Sequence, residues 1–280
     1  MGGTSAGLSA GMGPVGTLLL LGPPRWSSAE GEIPFLAERK FQLLAFLAHR
    51  ADWISRQQLA ELFWPDLDTA SARRNLRKLL FRLRESAGLP TIEERPGAVR
   101  WAVGTDLAAF EQAIAVGKVP EALALWRGEP WQGLGVENLG LLGDWFTCER
   151  NRLLALWRDA SLRLAAESSD TQTSLTLAGR LLEHDPLDEE AVRVLMGGLV
   201  QAGRRAEAHA AYRRFAGALQ DALALEPTAQ TQALLAEPGP PGSGRRMAAQ
   251  ETRQPGGAPL SGPGFVGRRA ELRELAGMLS

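Results

Sequence analysis

The chain has 280 residues, with 31 Lys and Arg against 32 Asp and Glu, for a formal net charge of -1. A hydrophobic content of 45% excludes wholesale disorder. The single cysteine, Cys148, excludes an intrachain disulfide. His49, His184 and His209 show no ligand spacing, which argues against a structural zinc. No stretch approaches the roughly 18 apolar residues of a membrane span. Residues 1–16 hold no Lys or Arg and so lack the charged region of a signal peptide. They read as a flexible leader, and the protein as cytoplasmic with no membrane partner. The near-neutral total hides an asymmetry: residues 1–104 carry +3, 105–237 carry -7 and 238–280 carry +3. A basic first third beside an acidic middle suggests a nucleic-acid-facing module joined to something else.

The first expected element is a short strand, Thr17 to Leu21, stopped by Gly22-Pro23-Pro24, with a second extended piece at Ile33 to Phe35. The period then turns helical. Phe41, Leu44, Ala45 and Ala48 share one face of a helix from about Glu38 to Arg50. Ser55 is an N-cap for a helix from Arg56 to Trp64, with Gln58 as its capping-box partner and Pro65 as the stop. Asp68 or Thr69 caps a third helix that runs to about Ala87. Thr91–Arg95 and Ala98–Val103 then flank Pro96-Gly97, a hairpin signal. Strand, three helices and a hairpin make the layout of a winged helix over residues 17–104.

From Asp106 the pattern is helical only, giving an all-α domain over 105–237. Asp185-Pro186 and Glu226-Pro227 each follow a leucine-rich helix end, 41 residues apart, with the proline expected at the first helical position. That spacing fits either helix-pair repeats or two similar turns. Residues 238–264 hold 7 Gly and 6 Pro and read as a linker. A helical pattern resumes at Leu272, Leu275, Ala276 and Leu279, so 265–280 reads as the opening of a further module.

The third helix carries the strongest functional signal. Residues 69–84 hold six cations, Arg73, Arg74, Arg77, Lys78, Arg82 and Arg84, and no acid. At roughly 100° per residue, Ala72, Leu76, Leu79, Leu80 and Leu83 form one apolar stripe. Arg74, Arg77 and Lys78 lie opposite, with Ser71 near them. A leucine face backing a guanidinium face fits a DNA major groove, where Arg can donate to guanine O6 and N7. Phe81 falls among the polar positions and is expected to pack against the hairpin or the neighbouring domain rather than to contact DNA. Arg95 and Arg100 on the hairpin either touch DNA or pair across the strands with Glu93 or Glu94. Arg56 begins a helix whose free N–H groups can meet a phosphate, while Ser55 serves as a cap.

The string Leu59 to Asp66 (LAELFWPD), followed by Asn75-Leu76-Arg77 and Arg82-Leu83-Arg84, resembles bacterial regulators of the antibiotic-regulatory class. These join a response-regulator-type winged helix to a bacterial transcriptional activator domain. Asp106 to Glu111 (DLAAFE), Trp145 with Glu149-Arg150, Asp185-Pro186-Leu187 and Gly203-Arg204 continue the match. The resemblance implies a mainly α fold, with the winged helix followed by a tetratricopeptide-like helical array. It also implies promoter repeats in double-stranded DNA, activation through RNA polymerase, and room for a homo-oligomer. Gly264 to Leu272 (GFVGRRAEL) looks like the start of a STAND/AAA-type ATPase module. The phosphate-binding loop of such a module is absent, so these residues are expected to bind no nucleotide.

No HExxH or CxxC motif is present, and neither an enzyme nor a cofactor is expected. Asp188, Glu189 and Glu190 read as first-turn acids favoured by the helix dipole. Cys148, beside Phe146, reads as a core residue, and the tryptophans at 53, 64, 126, 131, 145 and 157 as packing anchors. The leading function is sequence-specific regulation of transcription. The alternatives are a helical-repeat interaction adaptor and the regulatory front end of an ATPase switch.

Overall fold

The computed structural model describes residues 16–137 and 139–235. The linker expected at 238–264, the module at 265–280 and the leader short of Gly16 lie outside these residues. Seven strands and ten helices are described.

Strand β1 (Gly16–Leu19) pairs antiparallel with β2 (Arg25–Ser28), which pairs antiparallel with β3 (Gly31–Pro34). The sequence gives no period-two signal for β2, because Trp26 is its one fully buried side chain. Trp26 stands opposite Leu18 and Ile33 and lies 6.0 Å from Trp101. Helices α1 (Arg39–Arg50), α2 (Arg56–Phe63) and α3 (Thr69–Arg84) follow, with the two-residue strand β4 (Ile54–Ser55) between the first pair. The expected capping box is formed: Ser55 Oγ accepts from the Gln58 N–H, and Gln58 Oε1 accepts from the Ser55 N–H. Strands β5 (Glu93–Arg95) and β6 (Ala98–Arg100) make the hairpin, and β6 also pairs with β4. Gly97 has φ of +78°, the left-handed value that a turn with Pro at its first central position needs at its second.

The second half is helical: α4 (Asp106–Ala115), α5 (Val119–Leu125), α6 (Leu141–Glu167), α7 (Thr171–His184), α8 (Glu189–Gln201), α9 (Arg205–Leu223) and the short α10 (Ala229–Ala233). Neither expected proline start is observed. Asp188 caps α8 and Thr228 precedes α10, so Pro186 and Pro227 lie in the turns before the caps. Asp188 accepts the N–H groups of Glu190 and Ala191 and takes a forked pair of bonds from Arg158 at 2.6 and 2.8 Å, tying α6 to the start of α8. Cys148 is exposed rather than in the core. Residues two positions apart on a helix point about 200° apart, so burying Phe146 turns Cys148 outward.

The two halves share a core. One continuous apolar cluster runs from Leu18 in β1 to Ala191 in α8; a smaller one holds Val192, Met196, Phe215 and Leu219. Its axis is α1, in which every residue from Phe41 to Ala48 is buried. Phe46 packs edge-on against Phe63 of α2 on one side and, at 4.7 Å, against Trp145 of α6 on the other. The buried Gln42 side chain donates to the carbonyls of Leu134 and Gly135 at 3.1 and 3.0 Å. His49 meets Glu149 at 3.3 Å and the Trp131 ring edge-on at 5.7 Å.

A polar latch completes the join. Strand β7 (Gly104–Thr105) runs parallel beside β1, and the next residue, Asp106, is 3% exposed. Its carboxylate accepts the backbone N–H groups of Leu20 and Leu21 at 2.6 and 3.1 Å and pairs with Arg127 at 2.6 Å. The same backbone segment bonds to the loop before α6, where Trp131 N–H donates to Leu20 O and Gly22 N–H to Glu129 O.

Two outcomes follow. Asp106→Ala leaves two buried N–H groups and a guanidinium without their acceptor, so urea denaturation should show a loss of about 3–5 kcal/mol with little change in slope. Burial opposes charge on Glu149, yet the hydrogen bonds from His49 and Arg152 prevail and hold its carboxyl down at about 2. A carboxyl held low when folded stabilises above its ordinary value near 4.5 and loses that contribution as pH falls toward 2. Glu149→Gln should therefore flatten the acid limb of a stability-versus-pH curve across that window.

Candidate nucleic-acid interface

Asp68 opens α3 by accepting the Ser71 N–H at 3.0 Å. Ala72, Leu76, Leu79, Leu80 and Leu83 are buried, as their spacing predicts, and this fixes which way the other side chains point. Arg73, Arg74, Arg77, Lys78, Arg82 and Arg84 are all exposed. Arg74 donates to the Ser71 hydroxyl at 2.9 Å, and Arg73 reaches Gln57 of α2 at 3.1 Å. The side chains of Arg77, Lys78 and Arg82 make no hydrogen bond or ion pair among the described residues. Arg56, Arg73, Leu76, Arg77 and Leu80 line a shallow cleft of about 120 Å³ where the start of α2 meets α3.

The remaining predicted cations are engaged by the hairpin. Glu94 accepts from Arg84 Nε at 2.8 Å and also from Arg56, so one carboxylate bridges the ends of α3 and α2. The Arg84 hydrogen bond outweighs the cost of partial burial and holds the Glu94 carboxyl below its usual range. Arg100 pairs with Glu93 at 2.6 Å, directly across the strands. Of the two readings open for the hairpin arginines, cross-strand pairing therefore describes Arg100. Arg95 instead lies over the Trp53 ring at 4.5 Å, with Arg100 over the same ring at 4.9 Å. The tip of the hairpin is held to α2, since Gly97 O accepts the Arg56 N–H at 2.8 Å.

The ten predicted residues divide into two groups. Arg56, Arg84 and Arg100 are neutralised in place by Glu93 and Glu94. Arg73, Arg74, Arg77, Lys78, Arg82 and Arg95 have no salt-bridge partner among the described residues, and Ser71 donates its N–H to Asp68. Phe81, expected to pack, is 56% exposed. Sequence reasoning missed the part played by Glu94 and Trp53. The pairs involved are separated by 10 to 47 positions, and no local period links them.

Elsewhere, a groove of about 450 Å³ runs between α7, α8 and α9, lined by Leu175, Leu195, Leu199, Arg204 and Arg214 among others. No group of three or more His, Cys, Asp and Glu among the described residues could hold a metal ion. No helix among them is long and apolar enough to cross a membrane.

Comparison with known proteins adds a sequence and a fold relationship. The bacterial transcriptional activator domain matches residues 101–237. Two proteins named regulatory protein AfsR are similar, from Streptomyces coelicolor at 29% identity and from Streptomyces griseus at 26%. Each alignment takes in 93% of this chain, which spans only 28% and 29% of those relatives' lengths. Mycobacterium tuberculosis EmbR, solved in complex with a low-affinity phosphopeptide, has a similar fold, with a TM-score of 0.55 at 18% identity. That likeness covers 79% of this chain and 64% of EmbR. Residues 101–237 therefore match the bacterial transcriptional activator domain, and the chain as a whole is similar to regulatory proteins named AfsR.

Proposed function

We propose that the protein is a cytoplasmic transcriptional activator that binds double-stranded DNA through a winged helix made of α1 to α3 and the β5–β6 hairpin. In this reading α3 enters the major groove, with Arg74, Arg77, Lys78 and Arg82 meeting phosphates and guanine edges. Arg73, Ser71 and Arg95 touch the flanking backbone. The observation that carries the reading is the division of α3 into a buried leucine stripe and an outward face that includes three cations with no partner. Cations left unpaired on one rigid face favour a polyanion, and counterion release then supplies the affinity.

The helical half, with its acidic balance, is the protein-contacting part. Its groove between α7 and α9 is open to a partner, and RNA polymerase is the partner that the regulator resemblance implies. Promoter repeats would seat more than one copy. Residues 265–280 are read as the start of an ATPase-type module on their resemblance alone.

Mobility shift across a salt series, using the protein's own upstream DNA, tests the DNA-binding reading. Each lost phosphate contact flattens the slope of log K against log salt by about 0.9. The Arg77→Ala, Lys78→Ala, Arg82→Ala triple variant should therefore bind more weakly and lose about 2 to 3 from that slope. A folded triple variant that binds as tightly as wild type would overturn the assignment. Glu94→Gln should act in the opposite direction. By releasing Arg84 and Arg56 from their carboxylate it should tighten non-specific binding and steepen the salt slope, and an unchanged slope would show that neither cation reaches DNA.

A further inference from the structure

Phe81 is the one residue on the outward face of α3 that a phosphate backbone does not explain. It follows Arg77 and Lys78 by one helical turn and Arg74 by two, so it lies in the middle of the cationic face and opposite the buried stripe. It is 56% exposed, and its ring has no aromatic or cationic partner among the described residues. A single exposed apolar side chain is ordinary on a protein surface. This one is ringed by Arg74, Arg77, Lys78 and Arg82, so whatever surface covers those cations also covers the ring.

That surface must be anionic at its edges and must present an apolar group where the helix axis comes nearest. The major groove of duplex DNA has this form. Phosphates flank it, and among the base edges on its floor the one apolar group is the C5-methyl of thymine. We propose that Phe81 is a specificity-determining residue that reads thymine, its ring packing against the 5-methyl group while the neighbouring cations hold the backbone and guanine edges. The proposal rests on the DNA-binding reading above. It adds a base preference that arginine contacts, which favour guanine, do not supply.

The full 280-residue chain is used to enrich binding sequences from a random duplex pool. In the best enriched duplex each thymine is then replaced in turn by deoxyuridine, which removes only the methyl group, and affinity is read by fluorescence anisotropy at one fixed salt concentration. At one or more positions the replacement should weaken wild-type binding about fourfold, the worth of roughly one buried methyl group. Phe81→Ala should bind the thymine and deoxyuridine duplexes equally. Phe81→Leu, which keeps an apolar side chain, should retain the preference. Wild-type binding indifferent to the replacement at every position would overturn the proposal while leaving DNA binding intact, and so would undiminished discrimination by Phe81→Ala; a protein surface would then be the partner of the ring. If the wild-type chain enriches no sequence and shows no salt-dependent affinity, the DNA-binding reading falls and takes this proposal with it.

Discussion

Helix α1 has almost no outer face. An amphipathic surface helix buries a stripe and leaves the rest to water, but here eight consecutive residues, Phe41 to Ala48, are enclosed. Such burial needs apolar surface on every side, and α1 finds it in two separate parts of the chain. Phe63 of α2 and the stripe of α3 lie to one side; Trp145 and the Leu134–Gly135 backbone lie to the other. Each fully buried leucine or phenylalanine contributes about 1.5–3 kcal/mol. Separating the halves would expose several of them together. The outward face of α3 is therefore set relative to the helical array by the packing of a helix that belongs to both.

Polar groups give that packing its register. An apolar interface can slide, whereas the Asp106 carboxylate accepts from two specified N–H groups and a guanidinium, and Gln42 donates to two specified carbonyls. Buried groups of this kind cost free energy unless all their partners are in place. They penalise any other arrangement of the same surfaces. On the opposite side of the winged-helix unit the carboxylates do something else. Glu93 and Glu94 neutralise Arg56, Arg84 and Arg100 and brace the hairpin, which concentrates the unpaired positive charge on the middle of α3.

Much of this was legible in the sequence wherever a local rule governs. The leucine stripe of α3 follows from its 3.6-residue period, the start of α2 from the Ser55–Gln58 capping box, and the hairpin from Pro96-Gly97. Some failures depend on a neighbour distant in sequence, and others on local geometry that adjacency alone does not resolve. Strand β2 is short and has one buried side chain, so its identity comes from β1 and β3. The enclosure of α1 could not be read from its own residues beyond a wide apolar face. Adjacency to Phe146 reads Cys148 as a core residue, although residues two positions apart on a helix face nearly opposite ways. Pro186 and Pro227 sit just before capping residues, where a proline start and a proline turn look alike. The spacing of α3 did separate its cations from its core, but nothing local showed that Glu94 occupies one of them.

The central claim is that the DNA-facing unit and the helical array are one cooperative structure, joined through α1 and Asp106. Scanning calorimetry on the full chain, with tryptophan fluorescence followed in parallel, tests it directly. The account predicts that the described part of the chain unfolds in a single transition, seen at the same midpoint by both probes, with calorimetric and van't Hoff enthalpies in agreement. Two resolved transitions, one of them moved by substitutions on the α2–α3 side alone and the other by substitutions in α7 to α9 alone, would contradict it.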